Sequence, residues 1–194
     1  AADFGYRIKL LAVVAKHDAD IEVGVHPTLV PFDHMLASVN GVFNAAMVRG
    51  DMVGDTMFYG RGAGRLPTAS TVVGDIGDIA RNMAHGEVRY ARAVPTYGEG
   101  VTKLRAPGDI VSRFYLRFNV ADKAGAFGTM TTILGRNGVS ISAAAQKTAN
   151  VDEKGFVPVV VLTHPAPAKA VDAALAEIRE AGILNESPVK LRML

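Results

Sequence analysis

The sequence predicts an α/β (α+β) protein in two parts: a partial mixed-sheet segment, then a ferredoxin-like βαββαβ domain. Three observations carry that prediction. Phe114, Leu116, Phe118 and Val120 alternate with Arg113, Tyr115, Arg117 and Asn119, the period of a strand with one buried face. Phe127, Met130 and Leu134, and later Val171, Ala174, Leu175 and Ile178, fall at the three- and four-residue spacing of helices packed on one side. Between the two parts, residues 87–110 hold Pro95, Gly98, Gly100, Pro107 and Gly108 with no sustained period, which reads as a connector.

In the first part, Ile8, Leu10, Ala12 and Val14 alternate with Lys9, Leu11 and Val13. The expectation is a strand over 6–16, half buried at its start and fully buried later. His17 to Asp20 is a turn, and Ile21 to Val25 is the antiparallel return. His26-Pro27 should end regular pairing, because proline has no N–H to donate. Asp33 is placed to cap a short helix over 34–39. Strands near 42–49 and 52–60 meet at Gly50-Asp51, a hairpin signal. Leu66 to Met83 is a helix with Pro67 in its first turn. Ala69, Val72, Val73, Ile76, Ile79, Ala80 and Met83 form its apolar stripe, and Gly86 is its expected stop.

In the second part, Asp122 to Gly125 turns the chain from its first strand into a helix, which Asn137-Gly138 closes. Val139, Ile141 and Ala143 begin a second strand, Asp152 to Gly155 a hairpin loop, and Phe156 to Thr163 the third strand. Pro165 and Pro167 open the second helix, and Val189, Leu191 and Met193 form the last strand. The order is β-α-β-β-α-β, with both helices on one sheet face. The domain division is therefore 1–90, a linker at 91–110, and 111–194.

Composition narrows the function classes. At 49% hydrophobic and 21% charged residues, a packed core is affordable and general disorder is excluded. Lys and Arg number 21 against 19 Asp and Glu, too balanced for a nucleic-acid partner. Arg89, Arg92, Lys103 and Arg105 sit in the connector and read as solvated charge. The absence of cysteine removes disulfide and thiolate chemistry and fits a reducing, cytoplasmic setting. No apolar run has the length of a membrane span. The opening residues show no signal-peptide pattern and no initiator Met, so the expectation is a chain that begins inside a longer one.

Two loops are candidate sites. Gly60-Arg61-Gly62-Ala63-Gly64 lies between a strand and a helix, where glycines admit close backbone approach and the helix start offers N–H groups. Arg65 stands where the dinucleotide fingerprint needs its last glycine, so a plain tight turn remains an alternative. The second loop, Asn119 to Phe127, presents Asn119, Asp122 and the backbone around Gly125, Ala126 and Phe127 at a helix start. A capped turn without ligand is the alternative there. The histidines at 17, 26, 34, 85 and 164 show no metal-ligand spacing, and Asp75 with Asp78 reads as a solvated helix face. No nucleophile elbow, P-loop or HExxH motif occurs.

Three stretches, in order and spacing, resemble the homoserine dehydrogenase family, which reduces aspartate semialdehyde to homoserine with NAD(P)H. They are Gly5-Tyr6-Arg7-Ile8-Lys9-Leu10-Leu11; His26-Pro27-Thr28-Leu29-Val30-Pro31 through Leu36-Ala37-Ser38-Val39-Asn40-Gly41-Val42-Phe43-Asn44-Ala45; and Gly60-Arg61-Gly62-Ala63-Gly64 with Pro67-Thr68-Ala69-Ser70. The second half looks like the ACT domain, a regulatory fold that binds amino acids. Phe118-Asn119-Val120-Ala121-Asp122-Lys123-Ala124-Gly125 matches its first turn, with Ala124 in place of the usual proline.

The resemblance implies a chain that lies late in the family's sequence, a threonine/methionine/isoleucine-biosynthesis enzyme. The nucleotide domain, metal loop, homoserine-binding acids and catalytic lysines all precede the matched stretches. The expectation is therefore an inactive segment with no catalytic residue and no metal ligand. Gly64, with Ala63 and Gly62, would touch the cofactor, NADP or NAD, in a full enzyme. Asn119, Asp122, Gly125, Ala126 and Phe127 would receive an amino-acid effector, with threonine favoured. A homo-oligomer, at least a dimer, is expected. The competing reading is a stand-alone amino-acid sensor or interaction module without catalysis.

Overall fold

A computed structural model describes residues 1–18, 20–84, 103–146 and 155–194. It divides into two compact units, one of residues 1–32 with 102–194 and one of residues 33–101.

The first unit is built on β5 (Val111–Ala121), α2 (Ala126–Arg136), β6 (Ile141–Gln146), β7 (Phe156–Thr163), α3 (Ala168–Glu180) and β9 (Val189–Met193). Its strands run in the order β9-β5-β7-β6, all neighbours antiparallel. This is the βαββαβ arrangement expected from the alternation. Phe114, Leu116, Phe118 and Val120 are each at most 1% exposed and face Met130, Leu134, Val171, Leu175 and Ile178 from the helices. A two-residue strand, β8 (Ala166–Pro167), pairs with the start of β5 just before α3. Proline thus serves as the N-cap residue of α3 at 167, while Pro165 lies outside the helix.

The sheet does not stop at β9. β1 (Tyr6–Lys16) and β2 (Ile21–Pro31) form an eleven-residue antiparallel ladder, and β2 pairs in parallel with β9 through Thr28–Arg192 and Leu29–Met193. The expected end of pairing at Pro27 is corrected. Leu29 C=O accepts from Leu194 N–H on the β9 side, while Phe32 N–H points the other way, to Gly5 C=O. By strand alternation Pro27 and Pro31 direct their missing donors toward β9, where the ladder covers only residues 28 and 29. The β1 ladder therefore loses nothing to them. On the sheet face away from the helices, Leu29, Tyr115, Leu162 and Met193 form a second small core, joined by Phe4 and Tyr6.

The burial expected for β1 is also corrected. Ile8, Leu10 and Val14 are 54–74% exposed, as are Val23 and Val25 on β2, which pair with Val14 and Ala12. The alternation identified a genuine apolar face, but nothing in this unit covers it.

In the second unit, β3 (Phe43–Gly50) and β4 (Gly54–Arg61) form a hairpin, followed by α1 (Arg65–Ala84). The stripe of α1 exists but is bare: Val72, Val73, Ile76, Ile79 and Met83 are 51–75% exposed. The short helix is a 3-10 turn at Met35–Ser38, capped by His34 Nδ1, which accepts from Leu36 N–H at 3.2 Å. Asp33 is not the cap. Gly86, Arg89, Arg92 and the loop 152–154 lie outside the described residues, as does most of the linker. The last part of that linker is structured: Leu104 pairs with Ile21, Arg105 ion-pairs Asp20 at 2.8 Å, and Pro107–Asp109 makes a 3-10 turn. The sheet thus groups residues 1–32 with the C-terminal domain, a division different from a cut at 91–110.

Candidate functional site

The glycine turn sits in the second unit, between β4 and α1. Gly62 donates its N–H to Val42 C=O at 3.0 Å, tying the turn to the start of β3. The Asn44 side chain lies against Gly62 so closely that a Cβ there would overlap its amide. Gly64 has φ 131°, a conformation that side chains resist, and its carbonyl accepts from Thr68 N–H in the first turn of α1. Gly62, Ala63 and Gly64 are all exposed. The turn therefore offers backbone, a helix start and one amide side chain to a ligand. That set fits a contact to the polar end of a dinucleotide. It holds no acidic residue for a ribose and no complete phosphate cradle.

The second turn follows β5. Asp122 N–H is donated to Gly155 C=O, Lys123 N–H to Ala121 C=O and Ala126 N–H to Lys123 C=O, so the turn is a bonded bend. Gly125 is the N-cap of α2, with no side chain capping the helix. Its carbonyl accepts from Thr129 N–H and Oγ1. Asp122, Gly125 and Phe127 are exposed, Asn119 is half-buried on β5, and Ala126 is buried. The five predicted effector residues lie along one stretch from the end of β5 to the start of α2, three of them exposed at the turn.

The remaining predicted polar groups behave as structure. Asp78 pairs with Arg81 at 2.6 Å on the exposed face of α1. Among the described residues, no three His, Asp or Glu side chains cluster as a metal site. Three surface carboxyls are held below their usual range by bonded cations: Asp55 by Arg49, Asp109 by Lys169 and Glu177 by Arg136.

One cluster was missed by sequence reasoning. Glu22 and Arg192 form an ion pair at 2.7 Å between β2 and β9, and His17 Nε2 lies 3.6 Å from the same carboxylate. His26, on the same face of β2, packs its ring over Gly24, where a Cβ would overlap the imidazole. Burial, then the Arg192 charge, lowers the His26 pKa, against a smaller raising effect of Glu22. The available signal is the set of polar side chains Glu22, His26 and Thr28 at even positions of β2.

Fold and turns together define a class: a ferredoxin-like βαββαβ domain whose sheet is extended by the β1–β2 hairpin. The homoserine dehydrogenase family model matches residues 1–76, and the ACT domain model matches residues 114–180. The chain is 40% identical to a homoserine dehydrogenase of Neisseria gonorrhoeae over 198 residues, covering 100% of the chain and 44% of that protein. A homoserine dehydrogenase of Pseudomonas aeruginosa is 35% identical, with 97% of the chain and 44% of the relative covered. Among solved structures, a homoserine dehydrogenase from Thiobacillus denitrificans superposes with a TM-score of 0.84 at 34% identity, over 100% of this chain and 43% of that one. The chain corresponds to the C-terminal portion of homoserine dehydrogenases: residues 1–76 from the dehydrogenase domain, followed by an ACT domain. It spans less than half the length of these relatives.

Proposed function

We propose that this chain is the regulatory end of an NAD(P)H-dependent enzyme that interconverts aspartate semialdehyde and homoserine in the cytoplasm. The observation that carries the reading is 40% identity to a homoserine dehydrogenase along the whole chain. The bare apolar faces of β1–β2 and α1 support it, since such surfaces belong against protein. In that setting Gly64, Ala63 and Gly62 contribute backbone to the nicotinamide end of NADP or NAD. The cofactor supplies the hydride; these residues only help position it. No residue of this chain moves a proton in the reaction, so the chain by itself is inactive. The ACT domain senses an amino acid, threonine above others as the downstream product, with Asn119, Asp122, Gly125, Ala126 and Phe127 as its turn. At least two copies associate.

The test is an assay of the purified 194-residue chain with NADPH and aspartate semialdehyde. No turnover is expected, and threonine-sensitive turnover is expected once the remaining length of a relative is joined to it. Turnover by the chain alone contradicts the reading. One observation favours the alternative of a stand-alone sensor: the ACT core is complete within this chain. Binding of threonine, together with failure to confer threonine sensitivity on the joined enzyme, would select that alternative.

A further inference from the structure

A cavity of about 310 Å³ opens within the first unit, where β2, β5, β9, α3 and the turn at 107–109 meet. Its size is at the lower end of small-molecule sites, which suits a metabolite smaller than a nucleotide. Its walls carry two chemistries. Ile110 and Phe114 are buried and apolar. Lys190, Arg192, His26 and Asp172 are polar, and they include both signs of charge.

The polar groups retain bonding capacity. Arg192 uses Nη2 on Glu22, yet its Nη1 is buried with no hydrogen-bond partner among the described residues, and so is His26 Nε2. Lys190 Nζ touches Asp172 and lies 5.7 Å from the ring centre of Phe114, which leaves other ammonium protons for a ligand. The Asp172 side chain is 56% exposed, so one carboxylate of the wall stays accessible. That carboxylate disfavours a phosphate or a dicarboxylate, and it suits a ligand carrying its own ammonium group.

We infer that this cavity is a binding site for a free α-amino acid with a small side chain, separate from the β5–α2 turn. The ligand carboxylate meets Arg192 and Lys190, the ammonium meets Asp172, and the side chain rests against Phe114 and Ile110. The site joins β2, from the dehydrogenase-matched segment, to β9 and α3 around the ACT-matched one. A ligand there ties the hairpin to the regulatory domain, which gives the effector a route out of it. The inference rests on the reading that this chain senses an amino acid.

Calorimetry on the full chain tests it, with L-threonine, L-threoninamide (no carboxylate) and 3-hydroxybutyrate (no ammonium) as probes. Both analogues are expected to bind at least about tenfold more weakly than threonine, and so is threonine to Lys190→Met and to Asp172→Asn. Asp172 lies on the surface of α3, so its variant folds even if Lys190→Met does not, and ligand-free melting checks both. Threonine affinity within about twofold of wild type in a folded Asp172→Asn overturns the inference. If Asn119→Ala then abolishes binding, amino-acid sensing survives and the site is the turn. If threonine, isoleucine, methionine and lysine all fail to bind the wild type, both readings fall.

Discussion

Glu22 Oε1 lies 2.7 Å from Arg192 Nη2, and this ion pair fastens β2 to β9 across the parallel junction of the sheet. The Glu22 side chain is 6% exposed and that of Arg192 is 19% exposed. Removing one partner of such a pair strands a charge in a poorly solvated place. Glu22→Ala should therefore destabilise the first unit by about 3 kcal/mol, the low end for buried pairs because Arg192 keeps some access to water. Urea unfolding measures it. The double variant Glu22→Ala/Arg192→Ala should lose less than the sum of the two singles.

Stability should depend on pH through His26. Its folded pKa lies below the ordinary value, chiefly through burial and then through Arg192. A histidine held neutral in this way favours protonation in the unfolded chain. Its destabilising effect is absent above the unfolded pKa of about 6.5 and grows as pH falls below it. The melting temperature should drop between pH 7.5 and 5.5, and His26→Gln should make that drop smaller. An unchanged drop in the variant assigns the effect to other groups.

Gly62 is set by Asn44. Gly62→Ala places a methyl group into the amide of Asn44, an exposed side chain that can turn aside, and should cost about 1 kcal/mol. In an Asn44→Ala background the same change should cost less, because only the Cβ at position 44, 3.1 Å from the new methyl group, still presses on it. Thermal unfolding of the four proteins completes the cycle.

The two apolar patterns should respond in opposite ways. Phe118→Ala empties a site that is 1% exposed, and a loss of about 3–5 kcal/mol is expected. Ile76→Ala, on the bare stripe of α1 at 61% exposure, should change the isolated chain by no more than about 0.5 kcal/mol. A large loss at Ile76 would show that α1 packs on something in solution.

The βαββαβ half was legible because its signals are local. Alternation at 114–120 and helical spacing at 171–178 are fixed by the partners each element must cover. The junction with β1–β2 was not legible. It rests on two residue pairs between β2 and β9, far apart in sequence, and Pro27 pointed to an end of pairing that the direction of its missing donor removes. Periodicity also found the apolar faces of β1 and α1 without saying that they would be bare, since period reports chemistry and not the presence of a partner. The two turns could be placed from glycine, asparagine and aspartate spacing. The cavity at His26, Phe114, Asp172 and Arg192 draws on four distant segments, and no single stretch announces it.

The central claim is the proposal that the ACT-matched domain of this chain binds an amino-acid effector. Thermal unfolding of the 194-residue chain with and without L-threonine tests it most directly. At a threonine concentration about 100 times Kd, the chain should be stabilised by about 2.7 kcal/mol, with a melting temperature that rises with ligand concentration. An unchanged melting temperature with threonine, isoleucine, methionine and lysine, each at millimolar concentration, would contradict it.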